Sequence, residues 1–125
     1  KESGAKLVKE LVVSGAFHSP LMASAKNKLL SKLNSTNISN ALIPVYTNVT
    51  AKPVLDSTEI NKLLLEQLSA PVKWEETIQN MIADGATKFY EIGPGKVLQG
   101  LIKRIDRNVE VFGIESMSDL IGLGV

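Results

Sequence analysis

Residues 88–114 read KFYEIGPGKVLQGLIKRIDRNVEVFGI, and this stretch decides the fold class. Lys88-Phe89-Tyr90-Glu91-Ile92 is short, aromatic and apolar, the composition of a strand. Gly93-Pro94-Gly95 breaks it into a tight turn. Val97 to Ile105 then carries apolar residues at helical spacing and ends in Lys103-Arg104, the charge that a helix C-terminus favours. Val109 to Ile114 predicts a second strand. Two strands joined through a helix rather than a hairpin turn lie parallel, so the stretch reads as a crossover unit of an α/β fold.

The same alternation extends toward the N-terminus. Lys6 to Val13 is a valine-rich run between Gly4 and Gly15 that predicts a strand. Pro20 to Leu33 predicts a helix, with Ser19 as N-cap and Pro20 in its first turn. Asn34 to Asn40 is loop, and Leu42 to Val49 is an apolar, β-branched run with Pro44 near its start, the pattern of a buried strand. Asp56, Ser57 or Thr58 caps a helix through Ile60, Leu63, Leu64 and Leu68, with Pro71 past its end. Val72 to Ala83 predicts a helix whose stripe of Trp74, Ile78, Met81 and Ile82 stops at Asp84-Gly85, and Ser116 or Ser118 starts a last short helix. The expected class is α/β, a mainly parallel sheet flanked by helices.

With 125 residues the chain has the length of one domain or less, since single cores take about 100–200 residues. Fourteen basic and 13 acidic side chains leave a net charge of +1, so no global field draws it onto nucleic acid or anionic lipid. Zero cysteines and one histidine exclude disulfides, thiolate nucleophiles, Cys-based zinc and two-His metal motifs. No run of about 18 apolar residues exists to span a bilayer. Residues 1–6 have no apolar signal core, and the start without Met is expected of a fragment or processed product.

Any chemistry therefore hangs on His18 and oxygen groups. Val13-Ser14-Gly15-Ala16-Phe17-His18-Ser19-Pro20 carries a strand into a turn and delivers an imidazole beside a helix start, the edge where open α/β sheets place their sites. Such an imidazole suits a general base, and equally a turn-filling histidine bonded to backbone. No G-x-S-x-G elbow occurs, Ser14 lies on the strand approach, and Ser19 is explained as a cap. Gly93-Pro94-Gly95-Lys96 lacks phosphate-loop spacing, although the amides of its turn are suited to a carboxylate or phosphate. Adjacent Glu75 and Glu76 face different directions and are no acid–base dyad, and Trp74 reads as a core anchor. Lys103, Arg104 and Arg107 either balance the helix dipole or form a landing patch for an acidic partner.

Four motifs taken in order carry a family resemblance: Ser14 to Met22; Ile43-Pro44-Val45 with Thr47-Asn48-Val49-Thr50; Gln67-Leu68 with Pro71-Val72-Lys73-Trp74; and Glu91 to Leu98. Together they resemble the C-terminal part of malonyl-CoA:acyl carrier protein transacylases, from about Gly4 to Asp106. The resemblance implies an α/β-hydrolase-like acyltransferase domain over residues 13–125, with residues 1–12 ending a ferredoxin-like insert or connecting strand. It implies malonyl transfer from malonyl-CoA to the phosphopantetheine thiol of acyl carrier protein by a Ser–His ping-pong mechanism.

Position by position, the resemblance makes His18 the base and the main-chain carbonyl of Gln67 its orienting partner. Phe17 would exclude an α-methyl branch and so select malonyl, and Lys103 and Arg104 would dock the acidic carrier. The family's nucleophile sits in a G-H-S-x-G elbow absent here, so the N-terminal portion of the same enzyme is an expected partner. No metal or prosthetic group is implied, CoA entering as substrate, and the expected setting is cytoplasmic. The rival readings are a noncatalytic carrier-binding module on this scaffold and a free-standing hydrolase using Ser14 or Ser19.

Overall fold

A computed structural model describes Gly4 and residues 15–123. The strand expected over Lys6 to Val13, the nucleophile candidate Ser14 and the assignment of residues 1–12 to an insert fall outside the described residues, Gly4 apart.

Ser19 opens the first helical segment as its sequence requires: its Oγ accepts from the Leu21 N–H at 3.3 Å, and Pro20 occupies the first position. The segment starts as a single 3-10 turn, Pro20–Met22, and continues as α1, Ala23–Asn34. Strand β1, Val45–Tyr46, pairs antiparallel with β2, Pro53–Val54. Helix α2, Ser57–Glu66, is capped by Asp56, whose carboxylate accepts from the Glu59 N–H at 2.9 Å, and it buries Leu63. Helix α3, Trp74–Ala83, precedes the parallel unit of β3, Lys88–Ile92, α4, Val97–Ile105, and β4, Glu110–Ile114. Helix α5, Met117–Gly122, begins at a reciprocal cap between Ser116 and Asp119.

The predicted crossover holds in register from Lys88 opposite Glu110 to Ile92 opposite Ile114. Its core lies on one face, where Ile78, Ile102 and Val109 are buried and Trp74, Met81, Ile82, Phe89, Ile105 and Val111 pack around them. The periodicity of two sends Tyr90 and Ile92 to the opposite face, where Tyr90 stacks on Phe112 at 5.2 Å between ring centroids and Ile92 remains 80% exposed. Beyond α4 the Lys103 ammonium donates to the carbonyls of Val109 (2.6 Å) and Arg107 (3.3 Å), closing the turn into β4.

One expectation needs correction. Leu42 to Val49 is not a long buried strand: only Val45 and Tyr46 pair, Leu42 is fully exposed and Ile43 is 75% exposed. Pro44 has no N–H to give a ladder, and the chain folds back at once through Ala51 N–H to the Thr47 carbonyl (2.9 Å), with buried Ala51 in the left-handed region at φ +58°. Among the described residues one two-stranded pair is antiparallel and one parallel, a mixed α/β arrangement.

Candidate functional site

The turn before α1 places His18. Ser19 Oγ donates to the Ala16 carbonyl at 2.7 Å, and His18 itself sits at φ +60°, a left-handed conformation that histidine adopts more readily than most residues but still at a cost of about 1–2 kcal/mol. That conformation aims the imidazole across the molecule, where Nδ1 lies 2.7 Å from the main-chain carbonyl oxygen of Gln67. A carbonyl only accepts, so Nδ1 carries the hydrogen and donates. In the neutral ring Nε2 is then the lone-pair nitrogen, and it makes no hydrogen bond to any described residue.

Gln67 has a free carbonyl because it terminates α2. The last carbonyls of a helix have no intrahelical partner. Here the amides of Ser69 (3.2 Å) and Ala70 (3.1 Å) both turn back to Glu66, and the residue four beyond Gln67 is Pro71, which has no N–H to donate. The imidazole takes the vacant acceptor. Gln67 is held in turn at its side chain, whose Oε1 accepts from Asn48 Nδ2 at 3.3 Å, and the Asn48 carbonyl accepts from the Lys73 N–H at 2.9 Å. Reading the residues assigned no role to Asn48; its signal is an amide side chain in the short turn after a strand, which points equally to turn formation.

Phe17 precedes His18 and is 63% exposed. Its ring lies over Gly15, where a Cβ would come within 3.1 Å of Phe17 Cε2, so the absence of a side chain at Gly15 allows the close approach. The single Ser19 hydroxyl is engaged within the turn both ways, as donor to the Ala16 carbonyl and acceptor from the Leu21 N–H. Lys103 and Arg104 lie at the exposed C-terminal end of α4 and make no hydrogen bond to His18, Phe17 or Gln67. Lys103 is committed to the turn into β4, whereas Arg104 makes no ion pair with a described residue.

The Gly93-Pro94-Gly95 turn has both glycines at positive φ, +138° and +93°, and a carboxylate of the chain itself is bound just beyond it, by amides of α4. Glu91 accepts from the amides of Leu98 (3.0 Å) and Gln99 (3.2 Å) at the start of α4. Burial pushes this carboxyl up, and the hydrogen bonds from the Leu98 and Gln99 amides outweigh it, leaving Glu91 below its ordinary value. Glu75 and Glu76 are exposed, meeting Gln79 (3.3 Å) and Lys73 (3.0 Å). Among the described residues no group of three or more His, Asp or Glu gathers to hold a metal, and no helix is long and apolar enough to cross a membrane.

Comparison with known proteins returns the same family by sequence and by fold. No family model matches the chain. It is 46% identical over 114 residues to the malonyl CoA-acyl carrier protein transacylase of Bacillus subtilis (strain 168), covering 91% of this chain and 36% of that protein. It superposes with TM-score 0.88 and 37% identity on an acyl carrier protein S-malonyltransferase from Vibrio cholerae, covering 98% of this chain and 40% of the other. A malonyl-transacylase solved in complex with its type II polyketide acyl-carrier protein superposes at 0.86 with 35% identity, covering 96% and 39%. The chain spans 36–40% of the length of these relatives. On sequence and fold together, the chain is similar to malonyl CoA-acyl carrier protein transacylases over a portion of their length.

Proposed function

We propose that this chain is the C-terminal portion of an α/β-hydrolase-like acyltransferase and supplies the base half of its site. The reaction is transfer of malonyl from malonyl-CoA to the phosphopantetheine thiol of acyl carrier protein, by Ser–His ping-pong chemistry in the cytoplasm. The observation that carries the reading is the 2.7 Å contact of His18 Nδ1 with the Gln67 carbonyl. Fixing the hydrogen on Nδ1 leaves Nε2 as base, the orienting task a triad carboxylate performs elsewhere.

In the first half-reaction Nε2 takes the proton of a serine hydroxyl supplied by the remainder of the enzyme, and the oxygen attacks the malonyl thioester carbonyl. Collapse breaks the carbon–sulfur bond, and the imidazolium returns its proton to the departing CoA sulfur. In the second, Nε2 takes the proton of the carrier thiol, the thiolate attacks the malonyl ester, and the serine oxygen leaves with the proton from His18. The carbonyl of Gln67 stabilises the imidazolium in both halves by accepting from Nδ1–H. Phe17, beside the base, excludes an α-methyl branch on the acyl group, a steric route to specificity stronger than one methylene's contact energy. Lys103 and Arg104 supply positive charge for an acidic carrier. A relative solved with its acyl-carrier protein supports the choice of partner.

A core completed from outside these residues fits the bare side of the sheet. Tyr90 and Ile92 project from the face opposite α3 and α4, and the buried Trp74 Nε1 has no partner among the described residues. Intact-mass measurement of the complete enzyme after brief exposure to malonyl-CoA tests the reading. A malonyl adduct on a serine outside this chain, abolished by His18→Ala, is expected. An adduct on Ser19 or Ser14 would overturn the division of labour, and an unacylated enzyme with that serine present would overturn the activity.

A further inference from the structure

We propose that Asn48 is a positioning residue for His18, acting through Gln67. The Gln67 carbonyl is useful to His18 only while the segment after α2 holds it toward the imidazole, and that segment, residues 67–73, is irregular. Asn48 grips it at both ends: its side-chain amide donates to Gln67 Oε1 at 3.3 Å, and its main-chain carbonyl accepts from the Lys73 N–H at 2.9 Å.

The turn bearing Asn48 is itself anchored. Thr47 Oγ1 and Thr50 Oγ1 share a hydrogen bond at 2.8 Å, and Asn80 Nδ2 on α3 donates to the carbonyl of fully buried Ala51 at 2.8 Å. A rigid turn fixed to α3 thus reaches across to the residue whose carbonyl fixes the base. In a partly buried setting a supporting hydrogen bond of this kind sets ring orientation and tautomer rather than chemistry directly. The left-handed backbone at His18 makes the support necessary, because that turn has no helical or strand ladder of its own to hold the imidazole in place.

The inference rests on His18 being the base, but its test reads the ring independently of activity. His18 is the sole histidine of the chain, so in the complete enzyme, with 15N-histidine confined to these residues, its ring nitrogens give the only labelled imidazole signals. At alkaline pH, where imidazole is neutral, the wild type should show the Nδ1–H tautomer. Asn48→Ala and Gln67→Leu cut the same bond from opposite ends and leave the Gln67 carbonyl in the chain. Each should raise the Nε2–H fraction and lower kcat about 10-fold with KM for malonyl-CoA unchanged, the scale of one lost hydrogen bond.

The double variant should be no worse than either single one, because the two residues act as a unit. Folded single variants with an unchanged tautomer would overturn the proposal, as would additive effects in the double variant. A shifted tautomer with kcat unmoved would uphold the role of Asn48 and overturn that of His18 as base.

Discussion

Replacing Gln67 should cost far less than replacing His18, because the atom His18 uses is a main-chain carbonyl that every residue carries. His18→Ala removes the group that holds the proton in both half-reactions. Losing the base of a Ser–His pair costs about 10⁴- to 10⁶-fold in kcat, or about 5–8 kcal/mol of transition-state stabilisation. Gln67→Ala keeps the main-chain acceptor, which lies 2.7 Å from Nδ1 here, and deletes only the 3.3 Å side-chain link to Asn48 that steadies it. One neutral hydrogen bond is worth about 1 kcal/mol, so the loss should be about 5- to 10-fold.

Pro71→Ala probes the same carbonyl from a residue that touches neither partner. It restores an N–H four residues beyond Gln67, where it competes for the oxygen by continuing the α2 ladder. We expect a loss of about 10-fold in kcat without loss of stability, since a helical hydrogen bond is gained. The assay is quenched-flow formation of the malonyl-enzyme in the complete protein, with a far-ultraviolet spectrum to confirm folding. A Gln67→Ala variant as slow as His18→Ala, or a His18→Ala variant keeping a tenth of the rate, would refute the reasoning.

Phe17→Ser should raise the ratio of methylmalonyl to malonyl kcat/KM by about 10-fold or more, the range one methyl commands in a packed site; an unchanged ratio removes Phe17 from the specificity filter. Arg104→Glu should raise KM for acyl carrier protein while leaving KM for malonyl-CoA in place, and it is a cleaner probe than Lys103, whose ammonium also closes the turn into β4. Acid should destabilise the fold through Glu91 and Asp119. Asp119 is held below its ordinary 3.8 by the Ser116 hydroxyl and the amides of Glu115 and Ser116, and Glu91 lies below its ordinary 4.5. Their contribution is complete above those ordinary values, and it is lost as pH falls through the lower folded ones, because the unfolded chain takes up protons first. Melting temperature should be flat near neutrality and drop below about pH 4, and Glu91→Gln, which cannot take that proton, should flatten the drop.

The unit β3–α4–β4 was legible because independent local signals agreed on it. A glycine-bounded turn, an apolar helical stripe and a basic helix end mark the same boundaries, and the helix runs over Val97–Ile105 as expected. The run from Leu42 to Val49 misled because apolar composition reports that a residue is suited to burial, not what buries it. Leu42 and Ile43 are exposed here, in a chain that spans about two fifths of its relatives' length. The return at Ala51 was invisible for another reason: the left-handed position is filled by alanine where turn chemistry leads one to look for glycine or asparagine.

The site divides in the same way. His18 stood out because a glycine-marked turn delivers the chain's lone imidazole to a helix start, and its neighbour Ser19 caps that helix as its position requires. Its partner lies 49 residues away and is a main-chain oxygen, which no residue type announces, so the residues alone could not name Gln67, and the family resemblance had to. A main-chain contact nonetheless leaves a trace when the backbone must withhold its own donor. Pro71 is that trace: four residues past Gln67 it is the single residue type that cannot reclaim the Gln67 carbonyl. A proline at that distance from a helix end thus signals a freed acceptor as well as a stop, and the contact geometry around His18 depends on it.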